Sequence, residues 1–126
     1  PICCLSEVRW LESGEEKIGS YTILYSGSAD TRFAGVGIAI DRTARAALLT
    51  YDAVSSRIMS ARFNTRHGKL TILSVYAPTN DSTDDAKGEF YETLQHEVRA
   101  VPVRIGRGGV LLVSMVLAPV TIMAHV

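Results

Sequence analysis

The chain has 126 residues, which is enough for one ordinary domain or for part of a larger one. Its 13 basic and 13 acidic residues give a formal net charge of zero, which argues against a general polyanion-binding tail but not against a local basic groove. The two cysteines are adjacent at Cys3 and Cys4, which excludes a disulfide scaffold and a zinc site of four cysteines. Reduced cysteines predict an intracellular location, with the nucleus as one alternative.

The chain begins with an apolar run, Ile2 to Leu5, that fits the end of a buried strand and is too short for the core of a signal peptide. Because the first residue is Pro1 rather than Met, we expect a fragment or a processed product that has lost an earlier strand. A polar loop is predicted from Glu12 to Lys17. Tyr21 to Tyr25 and Gly35 to Ile40 then predict two strands that pair antiparallel.

The middle of the chain contains the clearest hairpin pattern. Asp41 to Ala47 is short and mixed, and Leu48 to Tyr51 is a candidate strand. Apolar and polar residues alternate from Arg57 to Phe63, which is typical of a half-buried strand. Leu70 to Tyr76 is a second, apolar strand, and the loop from Asn64 to Lys69 joins the two as a hairpin.

One helix is predicted from Asp84 to Val98, where apolar residues recur at four-residue spacing. Asp81 or Ser82 can cap its first turn. Gly88 in its interior weakens the helix by roughly 1 kcal/mol relative to alanine. Antiparallel strand pairs followed by one long helix predict an α+β fold or an α/β sandwich.

The amino-acid composition changes after Pro102, and from Gly108 to Val126 there is no Asp, Glu, Lys or Arg. The length of this run approaches a membrane span, but Pro119 and interspersed polar residues weaken that interpretation. Two explanations stay open: residues 103–126 are the product of a shifted reading frame, or they are a genuine apolar tail that anchors the chain to a membrane or a partner. The glycines and Pro119 make a poor anchor, which favours the shifted frame.

Two polar groups of residues follow buried apolar runs. Glu7 follows the first strand, and Tyr76 to Asn80 follows the run LTILSV, in which Pro78 ends sheet pairing. A carboxylate at a strand end can hold Mg²⁺, which prefers one or two carboxylates together with water and phosphate. Taken alone, these residues also fit a strand, a proline turn and a helix cap with no function.

Together and in order, the stretches ICCLSEVRW, YTILYSG, GVGIAI, RIMSARFN and LTILSVYAPTN resemble the endonuclease/exonuclease/phosphatase superfamily. Within it, they are most similar to the endonuclease domain of LINE-type retrotransposons and to the craniofacial development protein 2-like sequences related to it. The resemblance covers residues 1–102, as a partial domain. It implies an incomplete four-layer α/β sandwich of DNase I type, with mostly antiparallel strands and one long helix.

The resemblance also implies chemistry. Enzymes of this superfamily cleave phosphate esters with Mg²⁺, and those of retrotransposon type nick DNA. By this likeness Glu7 is the metal ligand, Tyr76 hydrogen-bonds the scissile phosphate, and Asn80 is the amide beside it, although Thr79 shifts Asn80 by one place from the usual spacing. Arg62, Arg66, His67 and Lys69 could line a phosphate path, but a solvated hairpin is the simpler explanation.

The departures from the family pattern argue against activity. The family's first strand with its catalytic Asn, its Gly-Asp-x-Asn motif after the helix and its final Asp-His pair have no counterpart here, and His67, His96 and His125 occupy no matching position. One carboxylate cannot both clamp a metal and activate water. We therefore expect this chain to be inactive as a nuclease, and a non-catalytic interaction module is the alternative from a different class.

Overall fold

The computed structural model describes residues 2–6, 8–28, 35–66, 68–78, 83–100, 110–116 and 122–124, with backbone pairing alone for the last two ranges. The described residues form two β-sheets and two helices. In chain order the elements are β1 (Ile2–Ser6), β2 (Ser13–Ile18), β3 (Tyr21–Ser26), β4 (Val36–Ile40), α1 (Arg42–Ala47), β5 (Leu48–Ser55), β6 (Ile58–Thr65), β7 (Gly68–Tyr76), α2 (Asp84–Ala100), β8 (Val110–Val116) and β9 (Ile122–Ala124).

The first sheet has the strand order β2-β3-β4-β1-β9, and all its pairs are antiparallel. The second sheet has the order β5-β6-β7-β8, in which β7 and β8 run parallel and the other pairs are antiparallel. A parallel pair needs a crossover connection, and α2 lies in the one between β7 and β8. The chain is therefore an α/β protein with mostly antiparallel strands and one main helix, as the sequence predicted.

The main core lies between the inner faces of the two sheets. Alternate residues of β4, including Ile38 and Ile40, pack against Met59 and Phe63 of β6 and Ile72 of β7, all of them fully buried. Because side chains alternate across a strand, the same pattern that buries Met59 and Phe63 turns the intervening residues of β6 to the opposite face. Burying each large apolar side chain of this kind stabilises the fold by about 1.5–3 kcal/mol.

A second, smaller core lies on the outer face of the second sheet. Leu73 and Val75 of β7 contact Phe90 and Leu94 of α2, which recur on one face of the helix. The described residues thus form three layers, two sheets and α2. The fourth layer that the resemblance implies is not among them.

The predicted polar loop from Glu12 to Lys17 is wrong, because most of this range belongs to strand β2. β2 is an edge strand with both faces largely exposed, and its charged residues therefore show no hydrophobic alternation. Charged side chains are a common feature of edge strands because they oppose pairing with other chains.

The mixed segment from Asp41 to Ala47 is a short helix, α1, that the sequence did not predict. The Asp41 carboxylate caps it by accepting a hydrogen bond from the Ala44 N–H at 2.9 Å, and Ala44 is buried in the main core. β5 then runs to Ser55, well past the predicted end at Tyr51.

The hairpin of β6 and β7 is confirmed, with a shorter connection than predicted. Pairing extends to Thr65 and Gly68, so the predicted loop residues at either side belong to the strands. The helix α2 is also confirmed, but its described cap is Thr83, whose hydroxyl accepts a hydrogen bond from the Ala86 N–H at 3.1 Å. The predicted cap residues Asp81 and Ser82 lie outside the described residues.

The apolar tail contributes backbone to both sheets. β8 pairs with β7 from Leu70 opposite Val110 to Tyr76 opposite Val116, and β9 pairs with β1. Among the described residues, no helix is both long enough and apolar enough to cross a membrane. The proposed shift of reading frame stays a prediction.

Candidate active site at the strand ends

The carboxyl ends of β1 and β7 lie close together although the two strands belong to different sheets. The hydroxyl of Ser74 on β7 is buried between the sheets and lies within donating distance of the Gly37 carbonyl oxygen at 3.2 Å and the Leu5 carbonyl oxygen at 3.4 Å. Leu5 and Gly37 are directly paired on β1 and β4. Ser74 therefore holds β7 against the last residues of β1, next to Ser6.

Two further hydrogen bonds join the sheets at this end. The Ser26 hydroxyl at the end of β3 donates to the Ser55 carbonyl oxygen at 2.6 Å. The Gly35 N–H, just before β4, donates to the Ser56 carbonyl oxygen at 2.9 Å. We name this region the strand-end site. Its described members are Ser6, Val8, Ser26, Gly35, Ser55, Ser56, Arg57, Tyr76 and Ala77.

Tyr76 is held at the strand-end site by Arg57, in the turn between β5 and β6. The Tyr76 N–H donates to the Arg57 carbonyl oxygen at 2.8 Å. One guanidinium nitrogen of Arg57 donates back to the carbonyl oxygens of Tyr76 and Ala77 at 3.3 and 3.2 Å, and the guanidinium carbon lies 5.1 Å from the centre of the Tyr76 ring. Tyr76 is 6% exposed. These contacts give the tyrosine a fixed position, which a substrate-binding group requires.

The chain leaves the second sheet immediately after Tyr76. Ala77 is fully buried against Phe90 and the rest of the outer core, and Pro78 has no N–H with which to continue a ladder. The loop that follows therefore starts from a rigid point. Asn80, the predicted amide of the site, lies outside the described residues.

The segment after β1 is tied to the same region by its backbone. The Val8 N–H donates to the Gly35 carbonyl oxygen at 3.2 Å, and Glu12 exchanges backbone hydrogen bonds with Ser28 and Gly27 at 2.8 and 2.7 Å. Arg9 has a φ of 59° and Glu12 a φ of 64°, a left-handed conformation that is uncommon for residues other than glycine. Such outliers persist where the surrounding structure determines the backbone, as it does here.

Trp10 and Gly27 show how tightly this segment is packed. The Trp10 ring lies edge-to-face against Tyr25, with ring centres 4.9 Å apart. A Cβ atom on Gly27 would lie 2.0 Å from the Trp10 carbonyl oxygen, so only glycine fits. The residue that precedes Val8 is Glu7, the predicted metal ligand, which lies outside the described residues.

Of the predicted site residues, the structure thus describes Tyr76 and places it at a strand end beside β1. Ser6, the neighbour of Glu7, has a buried hydroxyl with no hydrogen-bond partner among the described residues. His96 is an exposed residue on α2, and its Nδ1 atom lies 3.8 Å from the Glu97 carboxylate. His67 and His125 lie outside the described residues.

The cations of the hairpin are not near Tyr76. Arg66 and Lys69 lie at the turn of β6 and β7, at the opposite end of the strands. Arg62 lies within β6, and its Nε atom is buried without a described partner. The exposed positions of Arg66 and Lys69 at this turn fit the solvated hairpin that the sequence favoured over a phosphate path.

A magnesium site is not assembled from the described residues. No group of three or more His, Cys, Asp or Glu side chains lies close enough together, within the described ranges, to hold a metal ion. The metal assignment therefore depends on Glu7 and on the resemblance, and no catalytic step is derived through Mg²⁺.

Two described residues of the site were missed in the sequence. Arg57 stands at the start of an alternating strand, and Ser74 is the polar residue within the apolar run LTILSVY. A serine at an inward-facing strand position needs a hydrogen-bond partner, which was the available signal. For Arg57 the partners are 19 and 20 residues away in sequence, and no local pattern reveals them.

The fold and the strand-end geometry define an α/β protein with two stacked, mostly antiparallel sheets. No protein-family model and no solved structure matches the chain. The chain is 32% identical over 98 residues to craniofacial development protein 2 of Bos taurus, and 30% identical over 98 residues to craniofacial development protein 2 of Tragulus javanicus. Each match covers 78% of this chain and 17% of the relative. The chain is therefore a distant homologue of craniofacial development protein 2 and spans about a sixth of its length.

Proposed function

We propose that this chain is part of a Mg²⁺-dependent phosphodiesterase domain of the endonuclease/exonuclease/phosphatase superfamily, of the retrotransposon type that acts on DNA inside the cell, including the nucleus. The observation that supports this most is the meeting of the carboxyl ends of β1 and β7, joined through the Ser74 hydroxyl. These two strands carry the residues that the resemblance assigns to metal and phosphate. Similarity to craniofacial development protein 2 over 78% of the chain agrees with the resemblance on which the proposal is based.

In this proposal each site residue has one role. Glu7 contributes a carboxylate oxygen to Mg²⁺, because hard cations prefer oxygen ligands. Tyr76 donates a hydrogen bond to a phosphate oxygen, and Asn80 binds beside it. Arg57 orients Tyr76 through the carbonyl and ring contacts described above and is a positioning residue.

We further propose that these 126 residues do not turn over a phosphodiester by themselves. The chain contains no Gly-Asp-x-Asn motif after α2 and no Asp-His pair, so the resemblance assigns no second carboxylate to activate water. Phosphodiesterase turnover above background that is abolished by Glu7→Gln would contradict this.

The first experiment is to sequence the genomic DNA and the transcript across the codons from Glu97 to Val126. We expect a change of frame by one or two bases that restores Gly-Asp-x-Asn and a downstream Asp-His pair. The restored protein should then nick plasmid DNA with Mg²⁺, and Glu7→Gln and Tyr76→Phe should each remove most of that activity. If the frame stands as given, the domain is a catalytically inactive relative.

Metal binding can be tested in the chain as it stands. Mn²⁺ added to the ¹⁵N-labelled protein as a paramagnetic substitute for Mg²⁺ should broaden the amide signals of Ser6, Val8 and Tyr76 before others. The variant Glu7→Gln should lose this selective broadening, whereas Glu97→Gln on α2 should keep it. Broadening that is unchanged in Glu7→Gln would rule out Glu7 as the metal ligand.

The alternative function is a non-catalytic interaction module. The edge strand β2 favours it, because Ile18 at its end is 52% exposed and its outer edge has no partner strand among the described residues. An extended peptide could add to such an edge. Protein binding that survives Glu7→Gln and is lost when a proline replaces Glu16 on β2 would support this alternative.

A further inference from the structure

A basic cavity lies at the end of the sandwich opposite the strand-end site. It has a volume of about 270 Å³ and lies between the β2–β3 turn and helix α1. The cations that line it are Lys17, Arg42 and Arg45, and the exposed residues Ser20 and Tyr21 line it as well. At roughly 30 Å³ for each water molecule, it has room for a phosphate group together with part of a sugar.

Local structure explains why these groups converge. Ile18 and Tyr21 are paired, so Gly19 and Ser20 form a two-residue hairpin turn, and Gly19 takes the positive φ of 62° that such turns require. Nothing lies within 4 Å of a Cβ atom placed on Gly19, so the turn backbone is open to a ligand. On the other side of the cavity, the Asp41 cap starts α1 directly at Arg42.

The charge at this cavity is positive and only partly compensated. Arg45 contacts Glu15 at 3.4 Å, and both side chains are well exposed, so the pair is weak. Lys17 and Arg42 have no ion-pair partner among the described residues, and no carboxylate lines the cavity. The Asp41 carboxylate is engaged by the N–H of Ala44.

Further cations extend this surface across the second sheet. Arg66 and Lys69, which are exposed at the turn of β6 and β7, lie at the same end of the sandwich, because α1 runs directly into Leu48 of β5, which pairs with Phe63 near the end of β6. We name the set Lys17, Arg42, Arg45, Arg66 and Lys69 the basic end. The zero net charge of the chain conceals it, since α2 carries an excess of acidic residues on the outer face of the second sheet.

We propose that the basic cavity binds a phosphate ester, and that the basic end as a whole binds the phosphate backbone of a nucleic acid. Lys and Arg side chains, hydroxyl groups and backbone N–H groups are the donors that contact phosphates in such complexes, and Ser20 and Tyr21 are exposed at the cavity. The spread of cations beyond the cavity favours a polymer of phosphates over a single small anion. β3 alone separates this end from the strand-end site by roughly 17 Å, so the proposal does not depend on cleavage there.

The test compares two double variants that remove the same charge. Lys17→Gln/Arg42→Gln removes the unpaired cations of the cavity and leaves the Arg45–Glu15 pair intact, whereas Lys87→Gln/Arg99→Gln removes two cations from α2. Binding of a fluorescein-labelled 20-base-pair DNA duplex is measured by anisotropy over a range of salt concentrations. Circular dichroism melts establish that both variants fold.

We expect the cavity variant to bind at least tenfold more weakly at low salt, and the slope of log affinity against log salt to decrease in magnitude by about 2, one for each lost phosphate contact. The α2 variant should resemble the wild type in slope. Equal affinities and slopes for the two variants would overturn the nucleic-acid assignment.

A second measurement distinguishes a nucleic-acid backbone from a small phosphate ester. Inorganic phosphate is added to the protein, and its binding is followed by the linewidth of the ³¹P NMR signal. Phosphate broadening that is lost in the cavity variant, together with equal DNA slopes, would assign the cavity to a small phosphate ester and overturn the polymer. If the cavity variant loses both the phosphate broadening and part of the DNA salt slope, the full proposal is supported. If the wild type shows neither phosphate broadening nor DNA binding, the full proposal is overturned.

Discussion

Arg57 and Tyr76 hold each other through backbone and side chain at once. The Tyr76 N–H donates to the Arg57 carbonyl oxygen at 2.8 Å, and the Arg57 guanidinium donates to the Tyr76 carbonyl oxygen at 3.3 Å while lying over the tyrosine ring. The same guanidinium reaches the carbonyl oxygen of Ala77, where the chain leaves the sheet. The end of β7 is therefore fixed by a residue of the turn that precedes the neighbouring strand β6.

Replacing Arg57 should destabilise the protein and loosen Tyr76. We expect Arg57→Gln to lower the free energy of unfolding by about 2 kcal/mol, because hydrogen bonds from a charged donor contribute roughly 1.5–3 kcal/mol and this side chain is only half-buried. Arg57→Lys should lie between, since lysine keeps the charge without the planar fork. Urea unfolding measures both, and Arg99→Gln on α2 should change the stability by less than about 0.5 kcal/mol. If Arg57→Gln were as stable as the wild type, the contacts of Arg57 with Tyr76 and Ala77 would not stabilise the fold.

The hydrogen bonds between the sheets predict a cost for removing the Ser74 hydroxyl. Ser74→Ala should lower the free energy of unfolding by about 1 kcal/mol, because a buried donor to the Gly37 and Leu5 carbonyl oxygens is lost. The matched control is Ser60→Ala on β6, which is half-buried and should be nearly neutral. Thermal unfolding of the two variants gives the comparison, and equal midpoints would show that Ser74 does not join the sheets.

Two glycine-to-alanine substitutions should have opposite signs. Gly27→Ala should destabilise the protein by more than about 1 kcal/mol, because its new Cβ atom would lie 2.0 Å from the Trp10 carbonyl oxygen and the segment must shift. Gly88→Ala should stabilise it by about 1 kcal/mol, because Gly88 is exposed inside α2 with nothing within 4 Å.

The single tryptophan of the chain gives the Gly27 prediction a local signal. Trp10 packs against Tyr25, so its fluorescence maximum should move when Gly27→Ala displaces the segment, and should stay unchanged in Gly88→Ala. A Gly27→Ala protein with wild-type stability and wild-type fluorescence would show that the segment does not pack as described.

The cap of α1 predicts a dependence of stability on pH. The hydrogen bond from the Ala44 N–H holds the pKa of the Asp41 carboxyl below its ordinary value. Because the folded pKa is the lower one, the stabilisation by ionised Asp41 is fully present above the ordinary carboxyl pKa and is lost as pH falls through the folded value.

Asp41→Asn separates this effect from capping as such, because asparagine also caps helices but does not ionise. The wild type should melt higher than Asp41→Asn at neutral pH, and the difference should disappear at acid pH. Asp41→Ala should melt lower at both. If the difference in melting temperature between the wild type and Asp41→Asn did not change with pH, stabilisation by the ionised Asp41 carboxylate would be contradicted.

The spacing of apolar residues was sufficient to predict a strand or helix where that element buries one face. The alternation from Arg57 to Phe63 and the four-residue spacing in α2 predicted the hairpin and the helix, because each places apolar side chains on one side. Local pattern failed for β2, whose exposed edge position leaves charged residues on both faces, and for α1, which is a helix of only six residues that starts at the Asp41 cap.

The sequence by itself determined the α/β class, the order of the main strands and the position of Tyr76 at a strand end, and it predicted roles for Glu7 and Asn80 that stay predictions. Only the tertiary structure decided which residues surround Tyr76 and which cations share an end. Ser74 and Gly37 are 37 residues apart, and the basic end gathers residues from β2, α1, the β6–β7 turn and β7. Such contacts depend on how the sheets stack, and stacking is set by the summed burial of many apolar side chains rather than by any one stretch of chain.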